Sequence, residues 1–334
     1  MATQTANPAA IPPRWIGWIE ENRILGIEEN QLVDILVKNG FDRGAAREQV
    51  SRATLETKGS AKVARKLKKL ETMMAVYSAL WAHSKGAKSV ERRSNLSADE
   101  FFRSYYSVNR PVVFQDGLKH SATLARWNPD YLKTRCGSEM VEVMAGRSAD
   151  RNYEINSDHH KTRTRMSEFV ERVKQAGQTN DFYMVANNRS LETGKMKALL
   201  DEVHVLEHVL DPAIAQSRMF LWFGPGGTVT PLHHDAMNIL LAQVYGRKTV
   251  TLIPSFHTPY VYNHVGVYSA VDCERPDFNK FPLFKHATRL KVVLEPGQVL
   301  FIPVGWWHHV RSMDVSISLS FTNFRAANDY VWND

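Results

Sequence analysis

The segment TPLHHDAMN, residues 230–238, sets two adjacent histidines ahead of an aspartate. On an extended chain alternate side chains point to opposite faces, so His233 and Asp235 share a face and His234 turns away. An imidazole and a carboxylate converging from one strand supply two ligands of a facial triad. A third imidazole from a distant strand would complete it and leave three positions on Fe(II) open, enough for a bidentate co-substrate and dioxygen. A second histidine pair, in GWWHHV at residues 305–310, offers that imidazole. Strand phase does not choose between His308 and His309, and Trp306 and Trp307 beside them read as core packing. An HxD pair alone is common by chance, so the assignment rests on what accompanies it.

What accompanies it is a set of polar residues in phase with apolar ones. Lys248 in RKTVTLI alternates with Val250 and Leu252, so a buried β-strand face would carry its ammonium inward, where it needs an anionic partner that the strand does not contain. Asn323 is in phase with Ile317, Leu319 and Phe321, opposite Ser316, Ser318 and Ser320; Asn238 is in phase with Leu240, Ala242 and Val244, and Thr230 with Leu232. A buried amide requires partners. If these apolar faces line a barrel, its interior holds a lysine, two amides and a hydroxyl beside a metal triad, a pocket for a small dicarboxylate. Each polar residue singly could instead mark a strand edge or a shifted phase.

The elements that must position these residues are strands. MFLWFGPGG, NILLAQVYGRKTVTLIP, RLKVVLEPGQVLFIPVGWWHHV and VSISLSFTNF are β-branched or aromatic runs broken by Gly and Pro, the pattern of an antiparallel barrel or double sheet. Upstream the pattern is helical. Leu32, Ile35 and Leu36 recur at helical spacing and Asn39-Gly40 stops that helix before a new start, which predicts a short helical hairpin. Residues 61–83 read as one amphipathic helix with Val63, Leu67, Leu70, Met74, Tyr77 and Leu80 or Trp81 on its face. Ser97 and Glu100 have capping-box spacing, and Pro111 to Phe114 read as a short strand. The expected organisation is a flexible lead-in over 1–13, a basic helical module over 14–90, a polar linker SKGAKSVERRSN, and one large domain over 95–334.

At 334 residues with 43% hydrophobic and 23% charged residues the composition is that of an ordinary globular chain, and no apolar run approaches the ~20 residues of a membrane span. Residues 1–15 lack the basic and apolar regions of a secretory signal, and the two cysteines, Cys136 and Cys273, form neither a disulfide framework nor a CxxC pair, so a cytoplasmic location is expected. The net charge of +7 is local, since residues 58–93 hold ten Lys and Arg against Glu71 and Glu91. A solvated face explains them more simply than nucleic-acid binding.

At these residues the sequence resembles the JmjC family of Fe(II)- and 2-oxoglutarate-dependent oxygenases, especially the small hydroxylase branch related to the asparaginyl hydroxylase of hypoxia-inducible factor. TPLHHDAMNILLAQVYGRK is similar to its T-P-x-H-x-D-x-x-x-N...G-x-K segment, GQVLFIPVGWWHHV to its G-D-V-L-Y-I-P-x-x-W-W-H-H-x segment, and SLSFTNF to its terminal strand; Gln298 stands where the family often has Asp. The resemblance runs from NRPVVFQDG to the C-terminus. It implies a double-stranded β-helix of jelly-roll or cupin type, mainly β with flanking helices, and iron on His233, Asp235 and His308. It also implies Lys248 on the distal carboxylate of 2-oxoglutarate, helped by Thr230 and Tyr183, with Asn238 and Asn323 lining the same pocket. Hydroxylation of a C–H bond with release of succinate and carbon dioxide is the implied reaction. A protein or peptide side chain is the first expected substrate, a free amino acid or metabolite the second. A non-catalytic metal-binding adaptor is the reading of another class, disfavoured because such a protein need not keep Lys248 beside a complete triad. A homodimer would bury the apolar face of the 61–83 helix.

Overall fold

The structure, a computed structural model, describes residues 11–24, 26–58, 61–186, 190–192, 194–214 and 217–331; the side chains of residues 24, 54–58, 61–66 and 264 lie outside the description. A first sheet runs in the order β1 (Glu91–Arg93), β2 (Val112–Phe114), β13 (Val299–Ile302), β8 (Ile239–Tyr245), β15 (Ser316–Phe321), β6 (Met219–Gly224). A second runs β10 (Asn263–Val265), β11 (Tyr268–Ser269), β7 (Val229–His233), β14 (Trp307–Ser312), β9 (Lys248–Ile253), β12 (Leu290–Leu294). A small third sheet, β4 (Lys161–Arg165), β3 (Met140–Ala145) and β5 (Phe182–Tyr183), stands beside them. From β7 to β9 and again from β12 to β15 the chain crosses between the two large sheets at every step, which is the double-stranded β-helix of a jelly roll. Among the described strands only the β1–β2 pair is parallel.

Because both outer faces of this sandwich are covered, the strands bury side chains on two sides. Leu240, Ala242, Ile317, Leu319 and Phe321 face outward from the first sheet into a core with Phe101 and Phe169. Phe169 belongs to the helix Met166–Gln175, whose buried Met166, Phe169, Val170 and Val173 recur every three to four residues, and its ring meets Phe223 of β6 edge-on at 5.4 Å. Between the sheets lie Val113, Leu241, Val250, Leu252, Val292 and Leu300. Outside the second sheet Leu232, Ile253 and Trp307 pack against the N-terminal helices.

Those helices are α1 (Pro13–Ile24), α2 (Glu29–Lys38), α3 (Arg43–Lys58) and α4 (Ala61–Ala82). α2 buries Leu32, Val33, Ile35 and Leu36 and ends where the periodicity places its stop, with Gly40 at φ +89° just past Asn39. α1 opens on Pro13, whose fixed φ suits a first turn, and Ile11 before it is already buried, so the described part of the expected lead-in is ordered chain; residues 1–10 lie outside the described residues. The expected linker also carries structure. Its Glu91–Arg93 stretch is β1, an edge strand whose polar composition hid it: Glu91 bonds Arg110 at 2.8 Å and Arg93 bonds Glu100 at 2.7 Å. Ser97 caps the next helix by accepting from the Glu100 N–H.

The face assigned to α4 is divided. Met74 and Trp81 turn toward the barrel, while Leu67, Leu70, Tyr77 and Leu80 are exposed; Val63 lies outside the described side chains. Ser78 anchors the inner face: its hydroxyl meets His257 Nε2 at 2.8 Å, and His257 Nδ1 accepts from the Thr288 N–H.

Since Leu36 and Trp307 belong to one continuous core, Leu36→Ala is expected to destabilise the whole chain by about 2–5 kcal/mol, lowering a single calorimetric transition by several degrees. A separate early transition for the helices alone would contradict that shared core.

Candidate metal centre and anion pocket

Cross-strand pairing assembles the site. β7 and β14 run antiparallel with His308 opposite His233, and directly paired residues project to the same face. The two rings therefore meet between the sheets with centroids 4.1 Å apart. β7 ends at His233, and Asp235, just beyond it, returns its carboxylate to the same point, with Oδ2 at 3.2 Å from His308 Nε2. One ligand atom from each of His233, Asp235 and His308 lies within 4.8 Å of the other two. Gly305, at φ +75°, donates its N–H to the Asp235 carbonyl at 3.0 Å and holds that turn.

Register supplies the choice that strand phase left open. His309 turns outward, with Nε2 at 3.3 Å from Glu274, whose carboxylate also binds Arg311; the adjacent His309 ring and the Arg311 guanidinium hold Glu274 down at about 2. His234 packs edge-on against Trp307, with centroids 4.7 Å apart. Trp306 and Trp307 are core residues.

The imidazoles are set for coordination. His233 Nδ1 lies 2.8 Å from the Pro231 carbonyl and His308 Nδ1 3.0 Å from the Trp306 carbonyl. A carbonyl can only accept, so both protons sit on Nδ1 and both Nε2 lone pairs face the triad. Burial, reinforced by His308, pushes His233 down to about 4, which keeps it neutral at physiological pH. Two bare nitrogens and a carboxylate converging on one point repel one another unless a cation lies among them. The residues thus fit a divalent ion, and a two-nitrogen, one-oxygen set without sulfur suits iron of the facial-triad kind.

Lys248 defines the second half of the site. It pairs with Ser312 on β14, four residues along from His308, about 13 Å between Cα positions. That span accommodates two inward side chains with a short diacid between them. Lys248 is buried and donates to the Tyr183 hydroxyl at 2.9 Å, and burial pushes it down to about 7 with no charged partner offsetting the loss among the described residues. Tyr183 reaches it because Phe182 and Met184 face the outer core and turn the intervening ring inward. A buried ammonium lacking a carboxylate is a receptor for one that arrives from solution.

Thr230 reaches the same interior by a route the period-two pattern does not anticipate. Pro231 and Leu232 of β7 span the stretch that His309 alone spans on β14, a bulge, so Thr230 stands opposite Val310 while Leu232 joins the outer core. Asn238 and Asn323 do not enter the pocket. Asn238 donates to Asn328 at 3.0 Å and accepts from the Val304 N–H at 2.8 Å; Asn323 donates to the Asp211 carbonyl at 2.8 Å. Both follow apolar neighbours that face the helices rather than the interior. Asn238 also stands three residues after Asp235, one fewer than in the motif it resembles, and a one-residue slip reverses the face.

The interior of the first sheet carries instead the small polar residues of its strands. Trp222 Nε1 donates to Ser320 Oγ at 2.9 Å, and its ring lies 5.8 Å from Lys248 Nζ. Ser318 donates to Gln243 at 2.8 Å. The alternation of SISLS carried this signal with the faces reversed. Arg147 gave no local signal. It is fully buried, bonds Glu154 at 2.8 Å and the Val229 carbonyl at 2.7 Å, and stacks over Tyr153 and Tyr183 with Cζ at 4.2 and 5.3 Å from their centroids.

Comparison with known proteins agrees with this geometry. Residues 98–330 match the cupin-like domain family. The chain is 34% identical over 241 residues to the lysine-specific demethylase JMJ30 of Arabidopsis thaliana, covering 70% of this chain and 54% of that protein. It is 32% identical over 229 residues to lysine-specific demethylase 8 of Xenopus tropicalis, covering 66% and 50%. With the tRNA wybutosine-synthesizing protein 5 of Gallus gallus it shares 30% identity over 247 residues, covering 70% and 76%. The matched region spans about half the length of the two demethylases.

His308→Ala is expected to weaken Mn(II) or Fe(II) binding by at least about 100-fold in anaerobic titration calorimetry, whereas His309→Ala leaves the affinity within a few-fold. Equal losses in the two variants would contradict the assignment.

Proposed function

The chain belongs to the JmjC branch of the cupin-like domain family, and from that membership and the site we propose that it is an Fe(II)- and 2-oxoglutarate-dependent dioxygenase. The observation that carries the reading is the pairing of a buried, unneutralised ammonium at Lys248 with a convergent His233, Asp235 and His308 triad in one interior. Iron, with 2-oxoglutarate and dioxygen, would supply oxidation of a C–H bond and release succinate and carbon dioxide.

The chain's own part is binding, orientation and exclusion of water. His233, Asp235 and His308 would hold the metal, and the Nδ1 hydrogen bonds of the two histidines keep their rings from rotating. Lys248 and Tyr183 would anchor the far carboxylate of the co-substrate, and Thr230, opposite Val310, faces the same interior. The Lys248 end is closed, while the Asp235 side chain is 31% exposed. Co-substrate therefore seats deep, and the substrate approaches from the Asp235 side, where Tyr268 lies 5.8 Å from His233. We take the substrate to be a single side chain of a protein or peptide. Support comes from this one-sided opening and from relatives named for action on lysine.

The test is direct. Anaerobic protein loaded with Fe(II) is expected to develop a weak visible charge-transfer band on adding 2-oxoglutarate, absent in His233→Ala and much weakened in Lys248→Ala. Succinate release on admitting air follows. No band and no succinate in the native protein would sink the proposal. Mass spectrometry of candidate peptides then separates gain of one oxygen from loss of a methyl group.

A pH dependence follows from Lys248. Without co-substrate the lysine is half neutral near pH 7, and a bound carboxylate restores its charge. Binding of 2-oxoglutarate is thus expected to take up a proton above pH 7, with Kd rising up to about tenfold per pH unit toward the normal lysine range. Titration in two buffers of different ionisation enthalpy measures the uptake, and a pH-independent Kd with no uptake would contradict it.

A further inference from the structure

α4 presents two faces. Glu71, Met74, Ser78 and Trp81 turn toward the barrel, where Trp81 meets Trp306 edge-on at 6.3 Å. On the neighbouring face Leu70, Met73, Val76, Tyr77 and Leu80 are between 53% and 65% exposed, the densest group of exposed large hydrophobic residues among those described. Leu70, Met73, Tyr77 and Leu80 are spaced three, four and three residues apart, the a and d positions of a heptad seam. Such a seam fits a second helix, because its knobs need holes at the same spacing. The stripe offers several hundred Å² of apolar surface, at or beyond the largest patch of a typical monomer, and doubled across a two-fold axis it approaches what a specific interface buries.

Charge selects the occupant. Residues 72–82 contain no charged side chain, and the basic residues of the helix all precede Leu70. A polyanion or an acidic protein would find cations at one end of the stripe and none along it. A second copy finds an apolar seam complementary to its own. Paired antiparallel, with Leu70 against Leu80 of the other copy and Met73 against Tyr77, the two helices keep Lys68 and Lys69 of each copy at opposite ends; a parallel pair would press them together.

We propose that α4 is the interface of a symmetric homodimer, two copies packing their Leu70–Leu80 seams antiparallel. The dimer joins on the outside of the helix whose inner face rests on Trp306, so it clamps α4 against the residue whose carbonyl orients His308.

Sedimentation equilibrium of the full chain is expected to show a dimer at micromolar concentration. Leu70→Glu with Leu80→Glu, both at solvent-exposed positions, is expected to weaken it at least about 100-fold while the circular dichroism and melting temperature remain near native. A monomer at every concentration, or a dimer that survives both substitutions, overturns the proposal. Orientation is read by crosslinking: Leu70→Cys with Leu80→Cys in one chain is expected to oxidise to a covalent dimer, and neither single substitution is. Efficient crosslinking of the singles would instead mean parallel pairing and overturn the antiparallel arrangement.

Discussion

The register of β14 against β7 is the constraint on which the site depends. Placing His308 opposite His233 brings two imidazoles to one face; a slip of one residue would present His309 there and turn His308 outward. The two tryptophans before it fix that register. Trp307 is buried against the N-terminal helices with its Nε1 on Thr258 Oγ1 at 3.0 Å, and Trp306 is buried on the other side with its Nε1 on Asn109 Oδ1 at 2.7 Å. Reversing the faces would strand both indoles among the wrong neighbours, at roughly 2–3 kcal/mol each before the lost hydrogen bonds. Packing of the WW pair thus orders the metal ligand that follows it.

The same layering explains the electrostatics. Helices cover the outside of both sheets, so apolar side chains are divided between two outer cores and the inter-sheet core. Toward the Lys248 end the interior is left to Trp222, Tyr183, Ser318, Ser320 and Gln243. There a lysine stays buried only by losing much of its charge, and His233 only by remaining neutral. Both departures are relieved by the groups the pocket fits, a cation at the triad and a carboxylate at the ammonium. The N-terminal helices are part of this arrangement because their core includes Leu232 and Trp307, the neighbours of His233 and His308 in sequence.

Much of this was legible in the chain. Alternation alone put His233 and Asp235 together and sent Lys248 inward, and the strand pattern indicated a double sheet. The readings of Asn238 and Asn323 failed because a single strand does not say which of its faces looks at which layer. Asn238 and Asn323 track apolar neighbours that pack under helices, so they serve the outside of the first sheet. α4 has two adjacent apolar faces, and periodicity merged them. Thr230 shares the interior with His233 only because of a bulge that no two-residue rhythm contains. The choice of His308 over His309 needed either a family resemblance or a cross-strand partner, since both histidines sit on one strand with identical local context.

The central claim is that His233 and His308 offer Nε2 to a metal because their Nδ1 protons are committed to the Pro231 and Trp306 carbonyls. Nitrogen-15 NMR of histidine-labelled protein titrated with Zn(II), a diamagnetic stand-in, observes those four nitrogens individually. The account expects both Nδ1 atoms to keep their protons throughout while both Nε2 resonances move to ligand positions in step with one bound ion. Coordination through Nδ1, or Nε2 resonances that stay in place as zinc binds, would contradict it.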